Sequence, residues 1–164
     1  MQEWHKDWYL LRFSQNHWRK LLSVLGDSNV EFCCPMIHSG RLRKDKKQCI
    51  RHSVHPAFEG YVFVHFNPEQ IPVAVFRRMP GAVDFVRFGG DMQRISAQTI
   101  RALRCAEARI IRSDSCVYEC IGVDEADVAK IIEIYDTTSP LERASKLMTL
   151  IHKSNIRKER KDAA

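Results

Sequence analysis

Chemistry in this chain could come from six cysteines, seven histidines and a dense run of cations. The cysteines stand at positions 33, 34, 49, 105, 116 and 120, and none forms a Cys-x-x-Cys pair. That spacing is what lets two thiolates reach one zinc ion from a tight turn, so no metal-ligand set is assigned. Cys116 and Cys120 could share a helix face, but free, mostly buried thiols are the expectation for all six. Nucleophilic catalysis would call for a nucleophile elbow, and phosphate chemistry for a glycine-rich loop; neither pattern occurs. No catalytic activity and no cofactor are therefore expected. The stretch Arg41-Leu42-Arg43-Lys44-Asp45-Lys46-Lys47 is different, because cations at that density suit phosphate contacts.

The charge balance sharpens this. Net charge is +6 and the isoelectric point is near 9.1. Residues 1–112 carry 18 Lys/Arg against 10 Asp/Glu, residues 113–151 carry 3 against 8, and residues 152–164 carry 5 against 2. A basic body is followed by an acidic segment and a basic tail, which places a boundary near Ser113-Asp114. The division expected is residues 1–110 and 111–164, with a linker over about 106–122. With 45% hydrophobic and 28% charged residues the composition is that of a folded soluble protein. The longest apolar run, Tyr61 to Phe66, falls far short of the roughly 18 residues that cross a bilayer. Met1-Gln2-Glu3-Trp4-His5-Lys6 lacks the apolar core of a signal peptide. A cytoplasmic protein without a membrane partner is expected.

Elements that could position these groups follow from periodicity. Trp8 to Phe13 reads as a strand. Trp18, Leu21, Leu22 and Leu25 fall at i, i+3, i+4 and i+7, a helix stripe stopped at Gly26, with His17, Arg19 and Lys20 opposite. Val30 to Pro35 and Cys49 to Val54 read as strands around a turn at Lys44-Asp45. In Tyr61 to Phe66 the period of two puts Tyr61, Phe63 and His65 on one face and Val62, Val64 and Phe66 on the other. Both faces then need cover. Residues 69–79 predict a short helix ending in Arg77-Arg78. Gly81 opens a strand over Ala82 to Phe88, and Ser96 caps a helix bearing Ile100 and Leu103. The fold class expected is a mixed α/β (α+β) domain, an antiparallel sheet flanked by helices.

The last third predicts two helices. Val128, Ile131, Ile132 and Tyr135 repeat the helical spacing after Asp124, and Ser139-Pro140-Leu141-Glu142 has the form of a capping box. Ala144, Leu147, Met148 and Ile151 line the second helix. The three residues between them suit a helical hairpin. Two helices of this size cannot bury enough apolar surface alone. The Tyr61/Phe63 face is the natural partner, and an acidic hairpin matches a basic body.

Trp8-Tyr9-Leu10-Leu11, Pro56 to Val64 and Gly81 to Gly89 resemble, in order and spacing, the N-terminal domain of the NusG family. The chain's length, its Val-Arg-Phe-Gly ending and its helical last third are most similar to the RfaH-like, operon-specific paralogues, including plasmid-borne, ActX-like relatives. The resemblance implies an elongation and antitermination factor. It implies contact with the clamp helices of the RNA polymerase largest subunit through Tyr61, Phe63, Phe88, Ile100 and Leu103. It implies that Ile131, Tyr135, Leu147 and Ile151 mask that patch, and that the hairpin can refold into a small β-barrel after release, where a ribosomal protein becomes a partner. Most NusG proteins carry a glycine-rich barrel signature there, of which only Gly122 remains. Arg143 matches a basic residue that pairs across the interface, but His55 stands where its acidic partner is expected. Recruitment by exposed non-template single-stranded DNA is implied as well. Ser14, Val24, Asp27, Met79 and Pro80 replace contact residues of the family, leaving His17, Lys20, Arg77 and Arg78 as DNA-binding candidates. The motif facing the opposite polymerase subunit is altered to Pro72-Val73-Ala74-Val75. The alternative is a stand-alone nucleic-acid-binding module that uses the basic hairpin at 41–47 and exposed aromatics without a polymerase partner.

Overall fold

A computed structural model describes residues 5–42, 50–111 and 121–163. Chain order is β1 (Asp7–Phe13), α1 (Trp18–Asp27), β2 (Glu31–Cys33), β3 (Met36–Leu42), β4 (Ile50–Pro56), β5 (Tyr61–Phe66), α2 (Val73–Arg77) and β6 (Ala82–Phe85). Then come β7 (Arg87–Phe88), β8 (Asp91–Met92), β9 (Arg94–Ile95), α3 (Ala97–Ile111), α4 (Glu125–Asp136) and α5 (Pro140–Asp162). The main sheet is antiparallel in the order β2-β5-β1-β6, with β9 also pairing to β1. Leu10 lies opposite Phe63 in the central pair.

Alternation along β1 and β5 splits the sheet into two apolar faces, as the period of two requires. Tyr9, Leu11, Phe13, Val62, Val64 and Phe66 point to one side, where Leu21 and Leu25 of α1 and Phe76 of α2 cover them. Trp8, Leu10 and Phe63 point to the other, beneath Ile100 and Leu103 of α3, Val128, Ile131, Ile134 and Tyr135 of α4, and Leu147 and Ile151 of α5. These are called below the α1 face and the α3 face. Both sides of the strongest strand are thus covered, which its apolar side chains on both faces demanded.

Several expected boundaries move. α1 runs on to Asp27, so Gly26 sits inside its last turn, and Asn29 takes the left-handed conformation (φ 55°) that ends the segment. The helix expected over 69–79 shrinks to five residues because Pro72 occupies its N-cap and has no amide hydrogen to offer. The strand expected to continue to Phe88 breaks after Phe85. Arg87 and Phe88 instead pair with Asp91 and Met92 through the positive-φ pair Gly89-Gly90. The turn at Lys44-Asp45 lies outside the described residues. Asp124 caps α4 by accepting from Ala126 N (2.8 Å). At α5 only half the capping box forms: Ser139 Oγ accepts from Glu142 N at 3.4 Å, while the Glu142 carboxylate pairs with Lys146. Among the described residues no helix is long and apolar enough to cross a membrane.

Candidate functional site

The α3 face brings together most of the residues singled out by sequence. Phe63, Ile100 and Leu103 are each 1% exposed or less and belong to one cluster with Ile131, Tyr135, Leu147 and Ile151. Tyr61 is half-buried at its margin. Phe88 stands apart: it is 39% exposed on β7, its ring 5.5 Å from that of His152 on α5. Phe58, which sequence reasoning passed over, is 1% exposed and meets the Tyr135 ring at 5.7 Å. Its signal lay in the Ala57-Phe58 pair just before the strongest strand.

Arg143 is buried at 5% exposure, yet among the described residues it forms no ion pair. Its Nε donates to the Ala57 carbonyl (2.9 Å) and a terminal nitrogen donates to the Thr137 carbonyl (2.8 Å). The contact across the interface is thus made to backbone. A guanidinium held only by neutral carbonyls keeps more of its desolvation cost than one facing a carboxylate. The buried Tyr135 hydroxyl has no hydrogen-bond partner among the described residues, and burial pushes its pKa well above the ordinary value. Across the layer junction, Arg109 on α3 makes a bidentate pair with Glu125 on α4 (2.7 and 2.9 Å).

Cys33 and Cys34 are free, and burial pushes their pKa values up to about 11 and about 12. Both stay protonated at neutral pH, the weak form for metal binding or attack. The free-thiol expectation fails at Cys105, which is buried and disulfide-bonded. Cys49, Cys116 and Cys120 lie outside the described residues. No group of three metal-capable side chains occurs among the described residues.

At the sheet edge near β2, Glu31 bridges His65 (2.9 Å) and Arg104 (3.2 Å), while Trp8 stacks on His65 and lies beneath the Arg104 guanidinium. Partial burial raises the Glu31 pKa, but the hydrogen bonds from His65 and Arg104 outweigh it and leave the carboxyl below its ordinary value.

The DNA candidates lie around the start of α1 and the end of α2. His17, Lys20 and Arg78 are exposed. Gly81 (φ 76°) fits against His17 so closely that a Cβ there would lie 2.3 Å from the histidine Cβ, and Ser14 N donates to the Gly81 carbonyl (2.8 Å). Arg77 is not available in the same way, because Asp84 holds it through two hydrogen bonds (3.0 and 3.1 Å). Asp84 feels burial that raises its pKa, outweighed by the bonds from Arg77 and the Phe85 amide, so it too sits low. Its place two residues into β6, opposite Arg12 of β1, was not legible as a salt-bridge position from spacing. The basic run at 43–47 lies outside the described residues.

Fold and surface together define a small mixed α/β protein whose antiparallel sheet presents an aromatic and aliphatic face to a separate helical layer. The family model described as "Transcription termination factor nusG" matches residues 6–104. The chain belongs to the NusG family. It is also similar to a solved structure of Thermotoga maritima NusG, titled "Domain interaction in Thermotoga maritima NusG". The two share 19% identity and a TM-score of 0.42, over 64% of this chain and 56% of that one. The match thus spans little more than half the length of that protein.

Proposed function

We propose that this is an operon-specific elongation and antitermination factor in which residues 1–110 bind RNA polymerase and residues 111–164 cover the binding face at rest. One observation carries this reading: Phe63, Ile100 and Leu103 are buried in the same apolar cluster as Ile131, Tyr135, Leu147 and Ile151. Once uncovered, an aromatic anchor on a sheet face suits helix-in-groove recognition, and the polymerase clamp helices are the partner the family resemblance supplies. The protein acts in the cytoplasm, without cofactor or catalytic step. Lys20 and Arg78 supply cations toward non-template DNA and His17 a ring for stacking or hydrogen bonding, with Arg77 joining only if Asp84 lets go. Release of α4 and α5 frees them to refold as strands, for which the β-branched Val128, Ile131, Ile132 and Ile134 are suited, and a ribosomal protein is then the next partner.

The test is a polymerase pull-down with full-length variants. Ile131→Asp places a carboxylate among buried apolar side chains and should drive α4 off, raising affinity about tenfold for each 1.4 kcal/mol of cover lost. Adding Tyr61→Ala should cancel the gain, and the far-ultraviolet circular dichroism of Ile131→Asp should lose helix and gain strand. Unchanged affinity in Ile131→Asp would refute self-covering and leave the polymerase contact standing. Retention of nucleic acid but never polymerase would favour the stand-alone nucleic-acid module.

A further inference from the structure

α4 and α5 do not sit equally well on the sheet. Val128, Ile131, Ile134 and Tyr135 of α4 are all below 8% exposed. Among the described residues α5 buries only Leu147, Ile151 and Arg143, while Ala144 and Met148 are half-buried and Leu141 is 82% exposed. Two cavities open along this looser seam. One, of about 500 Å3, lies between Arg12, Phe13 and Tyr61 on the sheet and Pro140, Leu141 and Ala144 on α5. The other, of about 400 Å3, lies between Arg12, Tyr61, Val86 and Phe88 on the sheet side and Met148 on α5. Arg12 and Tyr61 line both, so the two form one groove. Pro140, Ala144 and Met148 recur every four residues along its wall, a span of about 12 Å or two helical turns.

The lining is mostly apolar, and its charges are unevenly satisfied. Arg12 makes no ion pair or hydrogen bond among the described residues, and Arg87 donates a single hydrogen bond, to the Gly90 carbonyl (3.1 Å), while also lying close enough to Asp84 to help hold its pKa low. Of the two carboxylates in the groove, Asp84 is already held by Arg77, and Glu59 stands at the far end beside Gly60. Two guanidinium groups thus flank an apolar trough, a pattern that suits an amphipathic helix carrying carboxylates beside an apolar stripe.

The geometry points to this groove as the place where the partner first docks while the α3 face is still covered. The proposal rests on the polymerase reading above and specifies its order. A polymerase helix with acidic flanks seats against Tyr61, Phe88 and the two arginines. α5, the looser layer, is displaced first and α4 follows. The contact needs no prior opening, because Tyr61 and Phe88 are the two patch residues left partly exposed.

Association and dissociation of full-length protein and core RNA polymerase, followed by surface-immobilised kinetics, test this. Arg12→Glu with Arg87→Glu should slow association about tenfold and remove most of its salt dependence. Leu141→Glu is the sharper variant. It adds a negative charge at an exposed site in the first turn of α5, where acidic residues favour the helix, so folding is not at stake. Because α5 has left in the final complex, association should slow severalfold while dissociation stays unchanged. Association unaffected in both variants would overturn the groove, and so would a Leu141→Glu effect confined to dissociation. Binding by Ile131→Asp but not by the unmodified protein would also overturn the groove as the first contact, and binding by neither would overturn the polymerase reading itself.

Discussion

The two faces of the sheet use the same strands and end up with very different cores. The α1 face is closed by residues near in sequence, and its centre is a set of rings: Phe66 lies 4.5 Å from Phe76 and 5.2 Å from Phe85, with Tyr9 alongside. The Tyr9 hydroxyl in that cluster is bonded to Arg94. The α3 face recruits residues from the last third of the chain and takes in a guanidinium without a counter-ion and a phenol hydroxyl without a partner among the described residues. It also leaves a groove beside α5. A core that must last excludes such features; the releasable cover proposed above can carry them, since each reduces the free energy that holds it down.

The largest expected effect tests the lasting side. Phe66→Ala removes a 1% exposed ring from the α1 face and should cost about 3–5 kcal/mol of global stability in denaturant titration. Leu147→Ala deletes as deeply buried a side chain on the other face, yet hydrogen exchange should find α5 opened while β1 and β5 keep their protection. If Leu147→Ala lowered protection throughout the sheet, the distinction between the two faces would be lost. A smaller effect runs the other way. Tyr135→Phe removes the unpartnered hydroxyl and should tighten the cover by about 1–2 kcal/mol, raising the melting temperature and lowering polymerase affinity. A drop in melting temperature would mean that the hydroxyl is bonded in solution.

The smallest effect concerns pH. The Glu31 carboxyl sits below its ordinary value, so its contribution is complete above the unfolded carboxylate range. It is lost as pH falls through the lower folded-state value. Glu31→Gln should remove that acid-side slope by less than about 1 kcal/mol, because Glu31 and Arg104 are 51% and 43% exposed. An acid titration monitored by tryptophan fluorescence, with Trp8 stacked on His65, reads it directly.

Periodicity made both faces of β5, the α1 stripe and the α4 and α5 stripes legible, because burial imposes spacing on a strand or helix wherever it occurs. The grouping of Phe63, Ile100 and Leu103 was reached through resemblance, since contacts between β5 and α3 leave no local trace. What escaped was set by pairing across distance. The carbonyls that hold Arg143, the carboxylate that occupies Arg77 and the ring of Phe58 under Tyr135 all depend on neighbours that no sequence window contains. The break after Phe85 escaped for another reason: a Gly-Gly turn allows either an ending or a tight hairpin, and the sheet decides between them.

Gly81 carries a longer consequence. Because its backbone rests on His17 with no room for a further carbon atom, the distance between the chain's first helix and the loop beyond its second is set by the glycine itself. The exposed side chains mounted on either side are under no such restriction. If these side chains contact DNA as proposed above, descendants of this protein could exchange His17's neighbours, Lys20 or Arg78 for residues that prefer other bases, keeping the mounting unchanged while the message drifts.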